Sequence, residues 1–226
     1  MAQDQIDKSA FWNSMILPWE AKRYGEERGW VGRLFSSSVM ARRRHAMTLL
    51  APRAKDRVVL ELGCGSGQLA EELLALGASR YVGVDFSRVA IERAKLAAVR
   101  RGFASKTDFS VASVGELPPM EFDVCFSLGL LDWLSDREVE AMVRATTGRE
   151  CLHSFSEARP GDLLRQVHSK YVHLKYGHRQ RYVPRYHTED EIRKFLGSDV
   201  RFHRDRAMRF GTLAHRFGER QASKHD

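Results

Sequence analysis

The stretch Val58-Val59-Leu60-Glu61-Leu62-Gly63-Cys64-Gly65-Ser66-Gly67-Gln68-Leu69-Ala70 decides how the rest of the chain is read. A short apolar run, Val58 to Leu62, reads as a buried strand. Three alternating glycines follow, and then an amphipathic helical pattern from Gln68 to Leu76. Glycine lets the backbone turn tightly and lets a ligand reach the main chain without meeting a Cβ. The start of the helix adds N–H groups that have no partner inside it. Asp85 stands twenty residues after Gly65, at the end of a second strand, Tyr81 to Val84. A carboxylate there is placed to accept from both hydroxyls of a ribose.

Outward from this unit the strand and helix signals keep alternating. Ser87 sits at an N-cap position before a long helix reaching about Arg100. Phe109 to Ala112 and Val124 to Leu128 read as strands, Asp136 to Ala145 as a helix, and Cys151 to Phe155 as a fifth strand. Strand–helix alternation at this rhythm specifies a parallel sheet covered on both faces, and right-handed crossovers make it doubly wound. Farther on, Leu163 to Lys175 reads as a helix, and Thr188 with Glu191 forms a capping-box pair opening another. Two last strand-like runs, Val200 to Arg204 and Phe210 to His215, are spaced for an antiparallel hairpin. The expected fold is therefore α/β: a doubly wound, mostly parallel, seven-stranded sheet with helices on both faces and a C-terminal antiparallel hairpin. Residues 1–55 read as an N-terminal helical cap, with Phe11, Trp12, Met15, Ile16 and Trp19 crowded together and a second helix near Ser38 to Leu50. Residues 56–226 read as the ligand-binding domain, with an inserted cover at about 157–187.

Two cofactor classes use a strand–glycine turn–helix with a following acid. The dinucleotide spacing Gly-x-Gly-x-x-Gly fails from Gly63, because position 68 is Gln, and fails from Gly65, because position 70 is Ala. The pattern present is Glu-x-Gly-x-Gly-x-Gly. With Asp85 ending the next strand, it resembles the first two motifs of the class I S-adenosylmethionine (SAM)-dependent methyltransferases, over roughly Val58 to Phe155. The resemblance implies SAM as cofactor. It implies that Glu61 and the backbone around Gly63, Cys64, Gly65 and Gly67 hold the methionine part and that Asp85 takes the ribose hydroxyls. Phe86 would lie beside the adenine, with Ser113 and Val114 at the third strand's end near the adenine amino group and Leu128 closing the fourth strand.

In such folds the reacting end of the ligand lies beyond the carboxyl edge of the strands, here Ser127 to Asp136. Enzymes of this class that methylate base or glutamine nitrogens often carry Asn/Asp-Pro-Pro-aromatic at this place. Pro118-Pro119 instead precedes the fourth strand. The stretch Gly129-Leu130-Leu131-Asp132-Trp133-Leu134 is similar to the small-molecule, O-methyltransferase-like branch, as is Trp19 to Tyr24, which resembles an N-terminal helix that lids the cofactor. That branch includes magnesium-protoporphyrin O-methyltransferases and carbohydrate-locus enzymes. Methyl transfer from a sulfonium is an in-line displacement, so alignment is the main task. A neutral hydroxyl needs a base, whereas a carboxylate or phosphate arrives ionised. Asp132, His168, His173 and His187 are the candidate bases, with an exposed loop acid or helix cap the competing reading of Asp132. Tyr24, Trp133, Arg181, Tyr182 and Arg185 are the candidate acceptor-binding residues. His168, His173 and His178 stand five residues apart, which on a helix turns each by about 140° from the last, so they share no metal-binding face; no metal is expected.

Composition narrows the rest. The 226 residues are 43% hydrophobic and 29% charged, enough for a sizeable core and against disorder as the main state. No apolar run approaches the roughly 20 residues that cross a bilayer, and the acidic opening does not read as a secretory signal. Cys64, Cys125 and Cys151 lack disulfide or zinc spacing, which suits reduced thiols in the cytoplasm. The net charge is +8, and from Gly161 to Asp226 there are 15 Lys and Arg against 8 Asp and Glu. The run Lys175 to His187 mixes these cations with tyrosines. It suits an anionic or ring-shaped small molecule, or RNA gripped through phosphates and stacking, or a solvated basic loop. The expected function is methyl transfer from SAM to an oxygen of a small, anionic or polyhydroxylated molecule. An RNA methyltransferase and a SAM-binding protein without turnover are the alternatives.

Overall fold

Successive side chains of a strand point to opposite faces, and here the two faces feed two separate cores. In β1 (Val58–Leu62), Val59 enters one core while Leu60 and Leu62 enter the other. In β4 (Val124–Leu128), Val124 and Phe126 join Val59, whereas Cys125 joins Leu60. The computed structural model describes residues 10–18, 20–21, 30–159, 170, 184–209 and 211–218, with the side chains of 30–36 set aside. The remaining strands are β2 (Arg80–Asp85), β3 (Thr107–Val111), β5 (Glu150–Ser156), β6 (Arg201–His203) and β7 (Gly211–Arg216). They form one seven-stranded sheet in the order β3-β2-β1-β4-β5-β7-β6. The first five are parallel, while β7 pairs antiparallel with both β5 and β6.

A short helix, α1, covers residues 10–18. Helices α2 (Trp30–Ala54), α3 (Ala70–Ala75) and α4 (Arg88–Arg100) bury Met47, Leu50, Leu73 and Ile91 in the first core. Helices α5 (Asp136–Ala145) and α6 (Glu189–Leu196) bury Val139, Met142, Ile192 and Leu196 in the second. Three helices start on side-chain caps. The Ser87 hydroxyl accepts from the Ala90 N–H, and Ser135–Glu138 and Thr188–Glu191 form reciprocal capping boxes. The chain runs β1-β2-β3 toward one edge and β4-β5 toward the other. The order therefore reverses between β1 and β4, and a crevice opens beyond their carboxyl ends.

The architecture is the one read from the sequence, with three local differences. The second helix reaches from Trp30 to Ala54 rather than Ser38 to Leu50, carrying Pro52 in its last turns. Helix α3 begins at Ala70, two residues later than expected, because Gly63, Gly65 and Gly67 all have positive φ and the chain keeps turning through Leu69. The last two strands are not simply appended: β7 inserts between β5 and β6, leaving β6 at the edge. The expected helix at Leu163 to Lys175 and the basic run up to Val183 lie outside the described residues, apart from Lys170.

Candidate cofactor and acceptor site

Beyond β1, β2 and β4 lies a solvent-open cleft of about 1180 Å³, a volume that takes in part of that open solvent. Its floor is the glycine turn. Gly63 and Gly65 line it, with Cys64 between them. A Cβ on Gly63 would press against Leu130 at 3.1 Å, and one on Gly65 would stand 2.1 Å from a carboxylate oxygen of Glu20. Gly67 differs from the expectation. It faces inward, where a Cβ would collide with the Phe109 ring at 2.8 Å and meet Ala94 at 3.3 Å. Its bareness lets the turn pack on β3 and α4.

Three buried carboxylates converge on this turn. Asp85 accepts from the Gly65 N–H through Oδ2 and from the Ser87 N–H through Oδ1, both at 2.8 Å. Glu61 accepts from the Tyr81 hydroxyl at 2.5 Å. Glu20, itself helical beside α1, accepts from the Ser66 N–H at 2.9 Å and from the Ser66 hydroxyl at 2.6 Å. Desolvation raises the pKa of each, and the acids reinforce one another: Glu61 is pushed up to about 8, first by burial and then by the charges of Asp85 and Glu20. Burial likewise raises Glu20 and Asp85. Among the described residues no Lys or Arg pairs with any of the three; Arg43 and Arg93 act on them only at longer range. A cleft with three buried carboxylates, open glycine backbone and a single lining cation, Arg43, that is drawn to Glu72 fits a ligand that brings positive charge, as an amino-acid ammonium and a sulfonium do.

One end of the cleft is walled by Phe86, Ala112, Ser113 and Val114. The Ser113 hydroxyl accepts from the Gly115 N–H at 3.3 Å, capping a 3-10 turn, Val114–Glu116. The other end is apolar: Leu128, Leu130, Trp133 and Leu134 from the loop after β4, and Trp12 and Ile16 from α1. Trp12 meets Trp133 edge to face with centroids 5.0 Å apart, so α1 roofs this end.

The structure seats several candidate residues elsewhere. Asp132 does not line the cleft. The 3-10 turn Leu131–Trp133 rotates it toward β5, where its two oxygens accept from the N–H and hydroxyl of Ser156, each at 2.7 Å. His187 is buried behind the same turn; its Nε2 lies 3.1 Å from the Leu131 carbonyl, and its backbone N–H donates to Ser156. Arg185 pairs with Asp136 at 2.7 Å, and its backbone N–H donates to the Asp132 carbonyl. These three residues fasten residues 185–187 to the loop after β4. Trp133 does line the cleft. Tyr24, His168, His173, Arg181 and Tyr182 lie outside the described residues. Sequence reasoning missed Glu20, Ser66 and Arg43, which joins the cleft from α2. Among the described residues no group of three or more His, Cys, Asp or Glu is arranged to hold a metal, and the three cysteines are free and buried.

The fold is that of the Rossmann-like, SAM-dependent methyltransferases, a class whose cofactor is SAM. Residues 59–148 match the family model of a methyltransferase domain. Among solved structures, magnesium protoporphyrin IX methyltransferase (ChlM) of Synechocystis PCC 6803 with bound S-adenosylhomocysteine (SAH) superimposes with a TM-score of 0.73 at 20% identity, covering 94% of this chain and 98% of that one. The DhpI–SAH complex superimposes with a TM-score of 0.63 at 18% identity, covering 97% of this chain and all of the other. Among curated proteins, the tRNA U34 carboxymethyltransferase of Shewanella amazonensis is 38% identical over 79 residues, 34% of this chain. The chain spans about a quarter of the length of the curated relatives it matches (23% for this one).

Proposed function

We propose that the protein transfers the SAM methyl group to an oxygen of a small molecule that is anionic or polyhydroxylated. The observation that most supports this reading is the roof over the apolar end of the cleft. Trp12 and Ile16 close down on Trp133 and Leu130, so an acceptor there is enclosed by α1, which suits a small molecule better than a polymer strand. SAM supplies an electrophilic methyl on a sulfonium when bound. Glu61 and the backbone of Gly63 to Gly65 are suited to hold its methionine part, Asp85 its ribose, and Phe86, Ser113 and Val114 its adenine. Leu128, Leu130 and Trp133 exclude water and fix the acceptor's approach, the larger part of catalysing an in-line displacement. Asp132 and His187 are engaged away from the cleft, so the described residues offer neither as a base. An acceptor oxygen that arrives ionised needs none.

A second reading, RNA methylation, draws on the tRNA-modifying relatives and the +8 charge. A turnover screen with labelled SAM across phenols, sugars, small carboxylates and tRNA separates the two. Product from a small hydroxyl or carboxylate is expected. Product from tRNA alone, with binding that falls steeply as salt rises, overturns the proposal.

A further inference from the structure

The roofed end of the cleft is short of hydrogen-bond partners. Its side chains are Trp12, Ile16, Leu128, Leu130, Trp133 and Leu134. Polar side chains of the described lining gather elsewhere. Glu20, Glu61, Cys64, Gln68 and Asp85 stand around the glycine turn, and Arg43 is drawn to Glu72 at 2.7 Å. Ser113 and Glu138 sit together toward the opposite end: a Cβ on Gly115 would lie 3.6 Å from Oγ of the first and 3.7 Å from Cγ of the second. The Glu138 carboxylate accepts from the N–H and hydroxyl of Ser135, at 2.8 and 2.7 Å. The backbone of the loop after β4 is engaged as well. The Gly129 N–H donates to the Ser154 hydroxyl at 2.6 Å, and the N–H groups of Trp133 and Leu134 donate to the carbonyls of Leu130 and Leu131 at 2.9 and 3.2 Å. A polyol seated there would lose the water around each hydroxyl and find little to replace it, which is costly.

What this end offers instead is a corner built of rings. Trp12 and Trp133 stand at 84° to each other with centroids 5.0 Å apart, and both are part-exposed in the cleft wall. Phe11, itself buried, meets Trp12 at 5.0 Å and Trp133 at 6.4 Å and so helps to fix both indoles. Two walls at nearly a right angle let a flat ring stack on one and turn its edge to the other, the two arrangements that aromatic pairs prefer. A saturated body of the same size gains neither.

We infer that the methyl acceptor is an aromatic compound, its reacting oxygen carried on a flat ring seated between Trp12 and Trp133. This rests on the small-molecule reading above and narrows it away from polyhydroxylated compounds. The chemistry of the oxygen agrees. A phenol gives up its proton far more readily than a sugar hydroxyl, and an aromatic acid arrives ionised, which suits a cleft where neither Asp132 nor His187 is placed as a base.

The test uses the full chain saturated with SAH and reads binding by calorimetry at constant ionic strength. The probes are 2-naphthol and 2-naphthoate, with their decahydro counterparts and glucose as controls. Saturable binding of at least one naphthalene probe is expected, about tenfold or more tighter than its decahydro counterpart. Trp133→Leu and Trp12→Leu, which keep the wall apolar, should each cut that ratio to about twofold, while Trp133→Phe keeps most of it. SAH affinity of Trp133→Leu should match that of the unaltered chain, which shows that the cleft is intact. Binding of 2-naphthol alone identifies a phenolic acceptor, and binding of 2-naphthoate alone an aromatic acid. The inference is overturned if the decahydro compounds or glucose bind as tightly as the naphthalenes, if neither naphthalene saturates, or if both leucine variants leave the ratio unchanged. Ring preference with turnover of tRNA alone would sink the small-molecule reading and leave the corner standing; turnover of a sugar without ring preference would do the reverse.

Discussion

Glu61 is the residue whose protonation says most about the cleft. Its folded-state pKa of about 8 lies above the ordinary 4.5, mainly through burial. The folded state therefore holds a proton that the unfolded chain releases from about pH 4.5 upward. Stability without cofactor falls as pH rises toward 8 and levels off above it. We expect Glu61→Gln to flatten that decline, read as melting temperature against pH, while SAM affinity of the unaltered protein rises with pH over the same window. Equal slopes for the two proteins would remove Glu61 as the cause. Asp85 has a simpler role. Its oxygens already order Gly65 and Ser87 and keep further acceptor capacity for a ribose. Asp85→Ala should weaken SAM binding by about tenfold or more, since each charge-assisted hydrogen bond lost is worth ~1.5–3 kcal/mol. Calorimetry with unchanged affinity would place the ribose elsewhere.

Among the elements, α1 is the one that links the roof of the cleft to the glycine turn. Its attachments include Glu20 on Ser66, Trp12 on Trp133, and the Ser87 hydroxyl donating to Asn13 at 2.8 Å. Glu20→Ala cuts the first and should speed amide hydrogen exchange in residues 10–21 and lower SAM affinity several-fold. Exchange in β1 and β4 should stay unchanged. Unaltered exchange in residues 10–21 would show that the roof stands without Glu20. What was legible beforehand follows the range of each interaction. The glycine turn, Glu61 and Asp85 are set by spacing within β1, β2 and the turn between them, and could be read from the sequence. Glu20 could not, because Ser66 lies 46 residues away. Arg43 was hidden in a basic run whose members differ only in the direction the helix turns them. Asp132 lies after β4 as the sequence suggests, but the 3-10 turn swings it onto Ser156, which no local spacing announces. Gly67 looked like part of the cradle, but the Phe109 ring that crowds it belongs to a strand forty residues on.

For the molecule as a whole, stability rests on the central strands. Phe126 is fully buried at the middle of β4, between the helices of one face and the rest of the sheet. Phe126→Ala should cost ~3–5 kcal/mol in urea unfolding, through lost burial and the cavity left behind; a loss below about 1 kcal/mol would mean that the core refills the space. The seven-stranded order was foreseeable as a type, but not that β7 would enter between β5 and β6, since both strands offer it similar short apolar runs. That placement has a consequence for synthesis. A ribosome-bound chain that has not yet released Gly211 to Arg216 leaves β5 with an unpaired edge and β6 with no neighbour, while α2, made far earlier, still lacks one of the strands it packs on. Two of the seven strands therefore join the sheet only when a late segment is threaded in beside β5, and during that interval the naked rim of β5 is the surface that a chaperone would need to shield.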